Sequence, residues 1–537
     1  MSLVSKFATV GGATLVSRIF GFAREMMMAS ALGVGPVADA FNLAFRFPNL
    51  FRRFFAEGAL NAAFVPLFSR ALEEEGEAGA RRFATEIFSS LTLVLFTLTI
   101  PAIVFMPFLV RTIIAPGLNL CIDEAAAAQA LSCADRFDIT VAFSRIMFPY
   151  LASMSLVAMV SGILNAYRRF FAAAAAPALL NVFLIAVLGW SLWTGQTTRT
   201  LGFAMSWGVL AAGVAQFVMV AVAMRMAGFS IALQRPRWTP GLKRLLVLAG
   251  PAALIGGITQ INLFVGQAVA SFKPGAVSIL TYADRPYQLP LGMVGVAIGV
   301  VLLPELSRAL KGGRLAEAQH TQNRSLEFAL FLTLPAAVAL FIIPEPIVRV
   351  IYERGAFGPD TTAAVAAVLG IYALGLPAFV MIRVFTPGYF AREDTRRPML
   401  VTVASAVANT VLSVGLFFVM EEKGIALATT LAGWLNALLL FHGLYARGLW
   451  AVDGPLVRRC LMLLVSALAM GGLLIFAMPL LDGWIMPSAG LHRQLAGIGV
   501  LVLIAMAAYF ALCLLTGGAD RQMVGRLLRL RRPRRGA

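Results

Sequence analysis

The sequence predicts an all-α polytopic membrane protein of about fourteen transmembrane helices, arranged as two pseudo-symmetric six-helix lobes followed by two C-terminal helices. Three observations lead there. Hydrophobic residues make up 60% of the 537 and charged residues 13%, with a mean hydropathy of +0.84. A soluble domain carries roughly 25% charge, so lipid must be the solvent. Apolar runs of spanning length recur along the whole chain, and the Lys and Arg residues gather between them with alternating density.

The runs fall at 7–31, 37–69, 83–110, 137–165, 171–193, 200–224, 245–272, 276–306, 325–348, 362–391, 398–420, 424–446, 459–482 and 494–516. Each can close its backbone hydrogen bonds internally only as a helix. The first contains Ala29-Ser30-Ala31, which looks like a signal-peptidase site. Arg18, Arg24 and Glu25 interrupt its apolar stretch, so it reads as the first helix of the mature chain. The second and eighth runs are long and hold Pro48, Pro66, Pro286, Pro290 and Pro304, which predicts bent or broken helices.

Orientation follows from charge. With the N-terminus inside and sides alternating, 28 of the 44 Lys and Arg residues flank the cytoplasmic ends and eight flank the outside. This bias puts both termini of the chain in the cytoplasm. The net charge of +18 therefore marks membrane orientation, and no nucleic-acid partner is expected. The basic tail faces lipid headgroups or water. Cys121 and Cys133 share one outside loop, where an oxidising compartment allows a disulfide, whereas Cys460 and Cys513 sit in apolar runs.

Pro66-Leu-Phe-Ser-Arg-Ala-Leu72 recurs as Pro304-Glu-Leu-Ser-Arg-Ala-Leu310, and the same offset superposes Pro48 on Pro286. Spans 1–6 and 7–12 thus read as parallel copies of a six-helix unit, with a site between them opened to alternate sides. The expected domains are an N-terminal lobe over 1–228, a C-terminal lobe over 229–449, the last two spans over 450–518 and a basic tail over 519–537.

Charges inside spans carry the chemistry. Arg18, Arg24, Arg46, Arg52, Arg53, Arg145, Arg285 and Arg383 lie there, with Glu25, Asp39, Glu57, Asp138 and Asp284. A charge near the bilayer centre costs at least ~2.5 kcal/mol, so it persists by pairing or by lining a wet cavity. In the N-terminal half the arginines outnumber the acids, and the surplus suits an anion. Arg18 and Glu25 share a helix face two turns apart, while Arg53 can pair with Glu57 and leave Arg52 less committed. Guanidinium groups grip phosphate through paired hydrogen bonds, so Arg18, Arg24, Arg52 and Arg285 would suit a diphosphate. Arg46, Arg145 and Arg383 read as structural ion pairs or snorkelling side chains.

No G-x-x-x-x-G-K-[ST] loop is present, the three histidines are scattered, and no nucleophile-and-base pattern occurs, so neither an enzyme nor a cofactor or metal site is expected. The alternative reading is a cation-coupled drug or metabolite exporter of the same architecture, which would favour an acidic or aromatic cavity. A non-transporting membrane scaffold would tolerate charge reversal in the spans.

Ser17-Arg-Ile-Phe-Gly-Phe-Ala-Arg-Glu25, Ala38-Asp-Ala-Phe41 and Pro48-Asn-Leu-Phe-Arg-Arg-Phe-Phe-Ala-Glu-Gly58 closely resemble the opening of the MurJ (MviN) lipid II flippases. Ala115-Pro-Gly117, Phe148-Pro-Tyr150, Ala176-Pro-Ala-Leu-Leu-Asn181, Tyr282-Ala-Asp-Arg285, Glu353-Arg-Gly355 and Pro387-Gly-Tyr389 continue the resemblance in order. It implies a substrate, lipid II, that is an undecaprenyl diphosphate carrying the peptidoglycan disaccharide-pentapeptide. The other partners implied are membrane lipids and cell-wall synthesis enzymes. It also implies that Arg18, Arg24, Asp39, Asn49, Arg52, Arg53, Glu57, Asp284 and Arg285 bind substrate, that Glu25 supports them as an ion pair, and that spans 13 and 14 form a groove for the lipid tail. Two departures stand out. Pro286 follows Arg285 where relatives usually carry leucine. Gln260, Asn262, Asn409, Ser413 and Thr429 stand where some relatives hold sodium with carboxylates, which argues against sodium coupling here.

Overall fold

The computed structural model describes residues 3–52, 61–119 and 132–518, with side chains described for 16–50, 63–118, 132–250, 260, 264–294 and 302–518. The chain divides into two compact units, Met1–Ser278 with Gly355–Phe357, and Ile279–Arg354 with Gly358–Ala537.

In unit 1, α1 (Leu3–Leu32) is followed by α2 (Pro36–Arg52), α3 (Asn61–Glu74), α4 (Gly76–Val104) and the short α5 (Met106–Leu109). A π-helical turn (Val110–Ile114) and a 3-10 turn (Pro116–Asn119) continue that segment. Then come α6 (Cys133–Met147), α7 (Tyr150–Ala166), α8 (Phe170–Thr194), α9 (Thr198–Met226) and α10 (Pro240–Ala270). Next, α11 (Ala276–Lys311) starts in unit 1 and continues in unit 2, ahead of α12 (Leu315–Ile342), α13 (Pro344–Tyr352), α14 (Pro359–Phe390), α15 (Arg396–Met420), α16 (Glu422–Tyr445), α17 (Gly454–Ile485) and α18 (Leu491–Thr516).

Among the described residues, ten helical segments are long and apolar enough to cross a bilayer, with α6 and α7 forming one of them. The remaining four apolar runs are helical as well where they are described. Runs one, seven and eight are α1, α10 and α11, and the second holds α2 and α3, with Pro48 and Pro66 inside them. The eighth run keeps Pro286, Pro290 and Pro304 inside one helix of 36 residues. Local chemistry sets several ends. Ser132, Thr197, Thr239 and Asp453 accept backbone N–H bonds as N-caps, and Gly195 and Gly517 close α8 and α18 in the left-handed conformation.

Hydrocarbon offers no hydrophobic drive between helices, so contacts rely on small residues and interhelical hydrogen bonds. In unit 1, a Cβ on Gly213 of α9 would lie 2.6 Å from the Tyr150 ring of α7. At the other end of α7, Phe68, Tyr167 and Phe229 form one aromatic cluster of tilted and edge-on rings. In unit 2, Gly433 of α16 packs on the Phe379 ring of α14, and Thr430 and Trp434 donate to the Ile371 and Leu374 carbonyls of α14. The α17–α18 pair docks on α12 through three features. Gly471 packs against Val338 and Ile342, Tyr509 donates to the Phe331 carbonyl at 2.9 Å, and buried Glu327 bridges Arg324 and Arg459.

The boundary between compact units lies at Ser278, not at 228 where the internal repeat divides the sequence. α10 opens the second repeat in sequence yet packs within unit 1, against α2, α3 and α4. Repeat and packing are separate criteria, and here they part by one helix. Cys133 is disulfide-bonded, and Cys460 and Cys513 are free. Cys121 lies outside the described residues, as does the tail beyond residue 518.

Candidate substrate-binding site

Arg24 sits in α1, facing α8. Gly21, one turn earlier, leaves Asn181 in ordinary contact with α1. The Asn181 Nδ2 donates to the Ser17 carbonyl at 3.0 Å, which fixes the amide so that its Oδ1 accepts from Arg24 Nη1 at 3.0 Å. The other terminal nitrogen, Nη2, pairs with Glu25 Oε1. Arg24 has a side-chain exposure of 13% and Glu25 of 6%. A guanidinium has five donors in a rigid fork. These contacts engage two of them and hold the group in place, leaving donors for an anion.

Glu25 thus pairs with its sequence neighbour Arg24. Arg18 is exposed and has no ion pair among the described residues.

A second cluster surrounds Asp39. This buried carboxylate of α2 accepts the Gly275 N–H at 2.5 Å, the Ser278 N–H at 2.8 Å and the Ser278 hydroxyl at 2.6 Å. It therefore caps the start of α11, where unpaired N–H groups and the helix dipole favour a negative charge. The buried guanidinium of Arg136, from α6, interacts electrostatically with the same carboxylate. Asp39 was expected to bind substrate, but its carboxylate here is engaged by backbone and hydroxyl donors.

Close backbone contacts extend this cluster into a seam. The Ala356 N–H donates to the Ser30 carbonyl at 2.8 Å. Gly33 and Gly355 have φ of +62° and +58°, and a Cβ on either would fall within 2.5 Å of a carbonyl oxygen, that of Ala356 or of Ser30. The Gly117 N–H donates to Ser271 Oγ at 3.0 Å, with a Cβ there only 2.3 Å from the Phe272 nitrogen. Three of the motifs quoted above, Ala38-Asp-Ala-Phe41, Ala115-Pro-Gly117 and Glu353-Arg-Gly355, thus meet the seam.

The other expected site residues divide as follows. Asn49 is half-buried on α2. In unit 2, Asp284 and Arg285 are half-buried on α11, and Asp284 Oδ2 accepts the Gln288 amide. The Arg52 side chain, Arg53 and Glu57 lie outside the described residues. Asn181, Arg136 and Ser278 had no assigned role. An amide alone in the apolar run of α8 was the available signal for Asn181. Nothing local distinguished Ser278, whose partner is far away in sequence.

The profile of a family described as "Lipid II flippase MurJ" matches residues 28–489. A probable lipid II flippase MurJ of Rhizobium tropici is 53% identical over 533 residues, covering 99% of this chain and 98% of that protein. The lipid II flippase MurJ of Burkholderia cenocepacia is 31% identical over 522 residues, covering 96% and 98%. Among solved structures, a lipid II flippase MurJ in an inward closed conformation aligns with a TM-score of 0.73 at 24% identity, covering 94% of this chain and 97% of that one. An inward-facing multidrug resistance MATE transporter of the MOP superfamily aligns at 0.65 and 14% identity, covering 81% and 95%.

Proposed function

The chain belongs to the lipid II flippase MurJ family, and from that membership we propose that it carries lipid II from the cytoplasmic to the periplasmic leaflet of the bacterial inner membrane. The family is one of transporters, and the apolar helices suit a multi-pass membrane protein. The finer reading has fourteen spans in two six-helix lobes with two further spans, both termini in the cytoplasm, and the domain limits 1–228, 229–449, 450–518 and 519–537.

The observation that carries the proposed mechanism is Arg24, held at low exposure by Asn181 and Glu25 in a largely apolar helix. A permanently charged fork fixed inside a membrane protein is suited to a diphosphate. In alternating access, Arg24 and Arg18 capture the diphosphate from the cytoplasmic side while the isoprenoid tail stays in lipid beside α17 and α18. Asn49, Arg52, Arg53, Glu57, Asp284 and Arg285 are proposed as further substrate contacts on their resemblance to family positions.

In this orientation the Asp39 seam is periplasmic, since Gly33, Gly117, Gly275 and Gly355 follow runs one, three, seven and nine. We assign Asp39 to closing that side rather than to gripping substrate. Membrane lipids and cell-wall synthesis enzymes are the further partners proposed.

The test is complementation. A strain depleted of its own lipid II flippase should grow when this chain is expressed and lyse when it carries Arg24→Ala at equal membrane abundance. Lysis with a well-expressed wild-type chain would overturn the reading.

A further inference from the structure

Unit 1 contains an apolar cavity of about 700 Å³ between α2, α4, α7 and α10, with Phe47, Leu98, Ala102, Phe105, Phe148 and Phe264 in its wall. Pockets of ~300–1,000 Å³ are the size that holds small-molecule ligands. The polar side chain in the wall is Thr112, whose hydroxyl already donates to the Phe108 carbonyl, so water would find few partners. The cavity meets the outer surface of α4, where Phe105 is 62% exposed and Leu98 39%.

At this surface stands Arg145, a span arginine for which substrate binding supplies no role. It is exposed, and its Nε donates to the Ile103 carbonyl of α4 at 3.1 Å. Ile103 adjoins Ala102, and Phe148 lies one turn beyond Arg145, so wall residues flank the guanidinium on both helices. Its depth can be read on two helices independently. Ile103 is 21 positions from Arg82, and Arg145 is 23 positions from Arg168. At ~1.5 Å per residue both intervals are ~30–35 Å, close to the ~30 Å hydrocarbon thickness. Arg145 therefore lies at the headgroup level of the leaflet opposite Arg82 and Arg168.

We propose that this cavity holds one acyl chain of an outer-leaflet glycerophospholipid whose phosphodiester rests on Arg145. An apolar slot with the Arg145 guanidinium beside it matches an acyl chain joined to a phosphate. The assignment rests on the membrane orientation proposed above and is independent of whether lipid II is the cargo.

The full chain, reconstituted in vesicles containing a phosphatidylglycerol with a photoreactive acyl chain, tests this by mapping the labelled peptides. Label should concentrate on α4 around 98–105 and α10 around 264–269. Arg145→Gln should cut that labelling by about fivefold, the order of a lost charge-assisted contact, without changing labelling of the exposed α17 face. Ala102→Trp, which fills the slot and leaves the guanidinium intact, should cut it as strongly. Uniform labelling around the belt, or labelling unaffected by both variants, would overturn the proposal. So would preferential labelling of the slot by a photoreactive polyprenyl diphosphate in competition. Labelling requires no flipping, so a failed flipping assay leaves this test intact.

Discussion

The Asp39 carboxylate accepts both the backbone N–H and the hydroxyl of Ser278, at 2.8 and 2.6 Å, although the residues are 239 positions apart in sequence. An acid in a span is here a cap on a distant helix, and its charge balances the buried Arg136. Asp39→Ala should therefore destabilise the protein by roughly 2–4 kcal/mol, the cost of losing charge-assisted bonds and leaving a buried charge without its counter-charge. Asp39→Asn, which can still accept hydrogen bonds, should lose less. Thermal unfolding of the detergent-solubilised protein reads the difference, and equal melting temperatures for all three chains would rule the cap out.

The backbone seam makes a steric prediction. Gly355→Ala needs a left-handed non-glycine residue and puts a methyl group 2.4 Å from the Ser30 carbonyl oxygen. It should cost at least ~1 kcal/mol and lower membrane abundance. Gly358→Ala, three residues on, has nothing within 4 Å of its new methyl group and should be silent.

The Arg24 triad predicts a graded series. Arg24→Ala and Arg24→Lys should both lose flipping, because an ammonium keeps the charge but not the paired donors. Asn181→Ala leaves the fork but removes its anchor, so flipping should fall by about tenfold, as expected when a binding group is misplaced by a fraction of an ångström. Transport in proteoliposomes at matched protein density measures it. Full activity in Asn181→Ala would remove the anchoring role.

Docking of the α17–α18 pair predicts an energetic coupling. Glu327 is 4% exposed and pairs with Arg324 in its own helix and Arg459 in α17. A double-mutant cycle on Glu327→Gln and Arg459→Gln should return a coupling of ~0.5–3 kcal/mol, and additivity would mean that Gly471 packing and the Tyr509 hydrogen bond hold the pair without the ion pair.

Much of the architecture was legible because hydropathy and charge placement act over whole segments. Among the described residues ten of the apolar segments are helices long enough to span, and Arg24 and Glu25 drew attention as unusual residues in such a run. Partner choice was less legible. Spacing along one helix set Arg18 and Glu25 on one face, but it could not show that Asn181, on another helix, holds Arg24. The partner of Asp39, the start of α11, is remote in sequence, so no local pattern could name it. The repeat placed a boundary at 228, yet α10 packs with the preceding helices, a consequence of tertiary contacts that no local pattern encodes.

The most direct measurement is the accessibility of lipid II at the outer face of spheroplasts depleted of their own flippase, read with a toxin that cleaves only externally exposed lipid II. The account predicts cleavage product with the wild-type chain and none with Arg24→Ala at equal abundance. Product that persists with Arg24→Ala, or none from a well-expressed wild-type chain, would contradict it.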